Sequence, residues 1–317
     1  MPNQSQLGQL FNIFYLTGHQ VYIPMHRFII LCFLLLLAIT AQSQDLMVAM
    51  SNNTYRQNNQ ELKRCDRVAF NEVLTIREAG YIGLIHPNGY TLELNSVGDF
   101  KLDTLFPTTT ENQVVVSLSL DAYNNRDAML GKTGSVSAGY TPFPRIVLPV
   151  MYKKVKILSD TVELFWRYAL SHNKFDTNSL RIQPKISFSS PFEEELLTAI
   201  AQDTSYTLNY NDLPEDQGKR QSFVVFRIHP QGLNPSETYV IAPSSIANRE
   251  AVRKSFAQME YTTTATLAQV LYLYQEGYFF DAFQQCRTLI KNYPDYPDLK
   301  DWYSQLLTSI YYRVLQR

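Results

Sequence analysis

Between Arg67 and Leu105 apolar and polar residues alternate in short runs, RVAFNEVLTIREAGYIGLIHPNGYTLELNSVGDFKLDTL, broken by glycine and asparagine. A period of two marks half-buried strands, because successive side chains leave a strand on opposite faces. Pro87-Asn88-Gly89 interrupts one run with turn chemistry in order: Pro for the first central position, Asn for the next, Gly for a left-handed one. A three-residue loop there sets His86 opposite Tyr90, Leu84 opposite Leu92 and Ile82 opposite Leu94. The four aliphatic residues then share a buried face, while Thr91 and Glu93 point away from it. A second glycine-centred turn is expected at Gly98-Asp99, after which Phe100 and Leu102 continue the pattern.

The same period returns in the middle of the chain, beyond Pro142, Pro144 and Pro149, which mark a linker. In KVKILSDTVELFWRYAL, Val162, Leu164 and Trp166 fall on one face, and NSLRIQPKIS, SYTLNY and SFVVFRIHP supply further strands. FEEELL, Phe192–Leu197, fits a helical turn or a strand edge. Its glutamates read as a solvated surface before they read as a cation site. About a hundred residues of such strands, with a buried tryptophan early and an alternating strand late, predict a β-sandwich.

After Ser244 the period lengthens to between three and four. Ser244 or Ser245 is placed to cap a helix entering ANREAVRKSFAQM. In TTTATLAQVLYLYQEGYFFDAFQQCRTLIKNYPDYP, Gly277 ends one helix, Phe279 opens the next, Ala282 permits close helix contact and Pro294 stops the unit. A last helix, LKDWYSQLLTSIYYRVLQ, lines up Trp302, Leu306, Ile310 and Val314.

These stretches carry three resemblances. Thr263–Tyr296 resembles one tetratricopeptide repeat, with Gly277, Ala282 and Pro294 at the repeat's intervals; Val270 and Leu273 depart from its usual small residue and tyrosine. The middle region is similar to fibronectin type III or related immunoglobulin-like domains, through Trp166 and its strand spacing. GLIHPNGYTLEL followed by NSVGDFKLDTL resembles a repeated unit of exported bacterial envelope proteins, and more loosely the β domain of the iron-dicitrate transport regulator family. Because about three repeats are needed for a free-standing solenoid, the helices are expected to pack on the sandwich, on one another, or on a partner.

The front of the chain reads as an address. From Met25, MHRFIILCFLLLLAITAQSQD places His26 and Arg27 before an apolar core, Phe28–Ile39, and then small residues at Thr40, Ala41 and Ser43. This is the form of a secretory signal peptide over 25–43, cut between Ser43 and Gln44. The rival is a membrane anchor over 28–46. The apolar core spans only about 18 Å as a helix, short of a hydrocarbon layer of about 30 Å. Residues 1–24 read as an extension upstream of the true start at Met25. Leu31 before Cys32 speaks against a lipid-modified cysteine, and Cys65 and Cys286 make no disulfide framework.

Composition adds little chemistry. The 317 residues include 21 Tyr and 18 Phe, and a net charge of −1 gives no reason to expect nucleic acid as a partner. Past the leader the histidines are His86, His172 and His229, none at metal-ligand spacing. His86 and His229 each precede proline at a strand end, where a turn or packing role outweighs a ligand role. GKTG, Gly131–Gly134, fails as a phosphate loop because Arg126 stands where glycine is required. The expectation is a multidomain β plus α protein: an N-terminal β domain (44–143), an immunoglobulin-like β-sandwich (144–243) and a C-terminal tetratricopeptide-like helical domain (244–317). No catalytic, cofactor-binding or metal residues are expected. The expected role is a non-catalytic, exported interaction or scaffold component in the periplasm or at the cell surface, meeting another envelope protein through its helical end. Membrane contact is confined to an uncleaved N-terminal segment. A carbohydrate-binding module or hydrolase, and a membrane-anchored sensor, are the alternatives.

Overall fold

Leu46 opens the first strand and is fully buried, so the apolar run Leu46–Met50 belongs to the folded body. The computed structural model describes residues 45–105, 118, 145–150, 154–171, 174–175, 183–192, 194–201, 204–215, 221–230 and 235–315. The expected leader, residues 1–24, the Ser43–Gln44 junction, Pro142 and Pro144, the Gly131–Gly134 loop and His172 lie outside them.

The first sheet holds β1 (Leu46–Arg56), β2 (Arg67–Val68), β3 (Val73–Ile85), β4 (Thr91–Leu94) and β5 (Gly98–Lys101). β1 runs between β2 and β3, and β4 and β5 pair with successive halves of β3. The hairpin has the expected register: Ile82 faces Leu94, Leu84 faces Leu92, the His86 amide donates to Tyr90 O, and Gly89 has φ +87°. Two details differ from the sequence reading. Gly98-Asp99 is not a turn but the start of β5, with the bend falling at Ser96-Val97. The runs read as separate strands join into the single long β3. A bulge lets it bend without ending: Ala79 and Asn53 take positive φ, and the Asn52 and Asn53 amides bond Ala79 O and Glu78 O across it.

The middle region comprises β6 (Arg145–Val147), β7 (Lys154–Ile157), β8 (Thr161–Phe165), β9 (Arg167–Ser171), β10 (Lys174–Phe175), β11 (Lys185–Ser189), β12 (Glu195–Ile200), β13 (Ser205–Asn209), β14 (Val224–His229) and β15 (Tyr239–Pro243). Its large sheet has the order β12-β11-β14-β15-β7, antiparallel except for the parallel β15–β7 pair. β8 pairs with β13, and β6, β9 and β10 form a third sheet. Phe188 on β11 meets Tyr206 on β13 at 5.7 Å between ring centroids, so the β8–β13 pair lies against the large sheet. Val162, Leu164 and Trp166 alternate into that core as the sequence requires. Of FEEELL, Glu195–Leu197 open the edge strand β12, and Phe192 lies in the turn before it.

Four long helices follow: α1 (Ile246–Ala257), α2 (Thr263–Gln275), α3 (Phe279–Asn292) and α4 (Pro297–Leu315). Ser245, not Ser244, caps α1 by accepting from the Asn248 amide. Gly277, φ +85°, closes α2 with paired bonds from Tyr278 N to Leu273 O and from Gly277 N to Tyr274 O. A Cβ there would have room, its nearest neighbour being Lys156 Cδ at 3.9 Å, so the cost of a side chain is backbone strain alone. Gly277→Ala is expected to cost about 1 kcal/mol and Gly277→Asn less, read as urea midpoints. Ala282 is fully buried, and Pro294 sits in the turn before α4.

The helices cover the β structure. α2 packs on β1, β3 and β4, α3 on β7 and β8, and α4 on β1 and β6. The first half of β1, Leu46–Met50, is consequently buried on both faces. Leu46 and Val48 enter a small core with Leu74, Ile82 and Leu84, while Met47 and Ala49 enter the main core with Leu267, Phe280 and Trp302. Gln44–Arg317 forms one compact unit. Among the described residues no helix is long and apolar enough to cross a membrane.

Candidate interaction surface

Buried polar groups first show what the helices are for. Glu93, on the hairpin face turned away from the aliphatic residues, accepts from both the amide and the hydroxyl of Thr264 at 2.9 Å. A carboxylate thus sits at the first turn of α2, where unpaired amides attract negative charge. The far face of the hairpin is therefore covered by helix. Gly83, opposite Glu93, makes the approach fit: a Cβ on it would lie 2.3 Å from Thr264 Oγ1.

Two further carboxylates repeat the device. Asp281, in the first turn of α3, accepts from Leu158 N, Ser159 N and Ser159 Oγ in the turn between β7 and β8. Burial raises its pKa above the ordinary value, and these hydrogen bonds pull the other way. Asp298, in the first turn of α4, accepts from Ser51 N on β1, with the Tyr81 hydroxyl beside it. Burial raises its pKa too, against the pull of that amide and of Arg64. Trp302 Nε1 donates to Ala49 O at 2.7 Å, and Arg287 forks onto Glu163 at 2.8 and 3.1 Å. These are braces within the chain.

The residues that first suggest chemistry are placed otherwise. His86 turns Nδ1 onto the Asn88 side chain and amide within its own turn. Cys65 and Cys286 are unbridged, and burial pushes the Cys286 thiol up to about 12, far from a reactive thiolate. Among the described residues no group of three or more His, Cys, Asp and Glu could hold a metal ion. Trp166 and Trp302 are 1% and 0% exposed, so neither can stack on a sugar.

One outward-facing surface lies on the large sheet. Ile200, Lys185 and His229 form one cross-strand row over β12, β11 and β14, and Thr198, Ser187 and Arg227 form the next. Gln183, Lys185, Thr198, Ala199, Ile200 and His229 line an open groove of about 500 Å³. Ser187 Oγ meets His229 Nε2 at 2.9 Å; burial, with Lys185 and then Arg227 adding to it, lowers the imidazole pKa and favours the neutral ring. At the rim, Phe192 is 88% and Ile200 68% exposed, unusual for large apolar side chains flanking a strand.

The two edges of this sheet differ. β7 carries Lys154 and Lys156, and α3 packs over it, with Lys156 Nζ donating to Glu276 O. β12, Glu-Leu-Leu-Thr-Ala-Ile, has neither lysine nor proline, the residues that usually blunt an edge. Sequence reasoning left FEEELL between two readings because edge position is fixed by the β11–β12 pairing, which is not local. The aspartates that open the last two helices carried a signal: Asp281 and Asp298 each stand in a first helical turn. No protein-family model matches the chain, and no significant match exists among curated proteins or solved structures.

Proposed function

We propose that this is a non-catalytic, exported interaction component, and that its partner surface is the open side of the large sheet at β12. The observation that carries the reading is the exposed apolar rim beside the β12 edge of the large sheet. The stripes of α2, α3 and α4, including Leu271, Phe283, Leu306 and Ile310, are buried within the chain, whereas Phe192 and Ile200 stand in solvent beside a strand whose outer side pairs with no other described strand. The helical end then acts as an internal brace, with α2 and α3 as a single tetratricopeptide-like hairpin. An immunoglobulin-like reading of the middle region is supported by its order: β8–β13 faces β11–β14–β15, with β12 added beyond β11. Export is supported by the leader-like sequence at 25–43.

The test is site-specific photocrosslinking in the cells that make the protein. A benzophenone side chain at position 200 is expected to trap a discrete adduct. The same group at Thr288, exposed on the outer side of α3, is expected to trap none. Adducts from position 288 and none from 200 would move the partner surface back to the helices.

A further inference from the structure

Among the described residues, the groups that β12 leaves unpaired can be read from its ladder with β11. Ala201 N donates to Pro184 O, and Ala199 and Leu197 stand opposite Ile186 and Phe188. Antiparallel ladders alternate, so the amides of 197, 199 and 201 turn toward β11. Thr198 and Ile200 accordingly turn their N–H and C=O groups away from the sheet. Their side chains lie on the outer face, in the rows of Ser187 and Lys185.

That edge is complementary to itself. A second β12 laid antiparallel, with the two-fold axis at Ala199, sets Thr198 of each copy opposite Ile200 of the other. All four open peptide groups then pair. The exposed Ile200 side chains become diagonal neighbours across the axis, a separation apolar side chains can bridge. Charge agrees with the register. Thr198 Oγ1 donates to Glu195 Oε1, which holds that carboxylate beside Thr198, and Lys185 stands beside Ile200. The row across the axis therefore runs Lys185, Ile200, then Thr198 with Glu195 of the second copy. An acidic end meets a basic end twice, once on each side of the two-fold.

We infer that the occupant of the β12 edge is a second copy of this chain, joined by antiparallel β12–β12 pairing into a sheet continuous across the dimer. The inference rests on the proposed partner surface and names what covers it. An isologous contact of this kind closes on itself, so it stops at two copies and does not propagate into a fibre. One strand pair buries little area, which places the dimer among concentration-dependent associations.

Thr198→Pro isolates the backbone contribution. It deletes an outward amide and leaves the β11–β12 ladder intact, a position where proline is tolerated on an edge strand. By sedimentation equilibrium the purified protein is expected to dimerise, and Thr198→Pro to weaken dimerisation at least tenfold with an unchanged melting curve. Glu195→Lys and Lys185→Glu are each expected to weaken it several-fold, and the double reversal to restore it. A protein that stays monomeric at all concentrations, or a Thr198→Pro dimer as tight as the parent, overturns the inference. So does a double reversal no better than the singles. A crosslink from position 200 to a different protein sinks the second copy and leaves the partner surface standing. No adduct at all removes both.

Discussion

Gly83→Ala is expected to lower stability by about 3 kcal/mol, with a fall in melting temperature of roughly 6–12 °C. The expectation does not come from backbone freedom. The added methyl would lie 2.3 Å from Thr264 Oγ1 and 3.1 Å from Met50 Cε. Met50 has a flexible tip and can yield. Thr264 has only a short, branched side chain, and it is held by Glu93 through both its amide and its hydroxyl. The start of α2 must therefore move outward from β3, stretching a charge-assisted bond as well as opening the core. Thr264→Ala alone removes the hydroxyl but keeps the amide, and should cost about 1 kcal/mol. Combined, the two substitutions are expected to cost less than the sum of their separate effects by at least 1 kcal/mol, because the second removes the atom the first collides with. Strictly additive urea midpoints would show that α2 does not close on β3 as described.

The second large effect belongs to Asp281. Asp281→Ala leaves two amides and a hydroxyl without an acceptor at a site only 6% exposed, and is expected to cost about 3 kcal/mol or more. Asp281→Asn keeps an acceptor oxygen and should be milder, but it changes the response to pH. Burial raises the carboxyl above its ordinary 3.8 in the folded protein. Between that value and the raised one, the native state still holds a proton that the unfolded chain has released. Stability from this group accordingly falls as pH rises through that window, and is level above it. Asp298 contributes a slope of the same sign. Urea midpoints across a pH series should fall less steeply for Asp281→Asn than for the parent, with the residue of the slope removed by also changing Asp298→Asn. An unchanged slope in Asp281→Asn would mean that the carboxylate is solvated.

These two residues also mark where the sequence stops being readable. The hairpin at Pro87-Asn88-Gly89 was legible because its causes are three neighbouring residues and one alternation. Gly277 and Ser245 were legible for the same reason, each being the local end of a helix. Gly83, one step inside that same hairpin strand, looked like a spacer, since its cause lies on a helix 181 positions later. Glu93 was correctly turned from the aliphatic face, but nothing local says that a helix waits there. β1 went unread because Leu-Met-Val-Ala-Met has no polar alternation, and it has none because both faces are covered. The parallel β7–β15 pair joins segments far apart in the chain, and the openness of β12 follows only once every other strand has been placed.

The bond from Trp302 Nε1 to Ala49 O joins residues 253 positions apart, the fourth long helix to the first strand. Asp298 and Ser51 are separated by almost as much, 247 positions. A core closed by contacts of such sequence separation carries a high loop-closure cost before any of them is rewarded. β1 thus precedes by some two hundred residues α2 and α4, the two helices that cover it. Until they dock, Met47 and Ala49 lack their helical cover, and transiently exposed apolar surface of that kind is prone to aggregate. Closure of this core is in that sense timed by its helices, which follow every strand they cover.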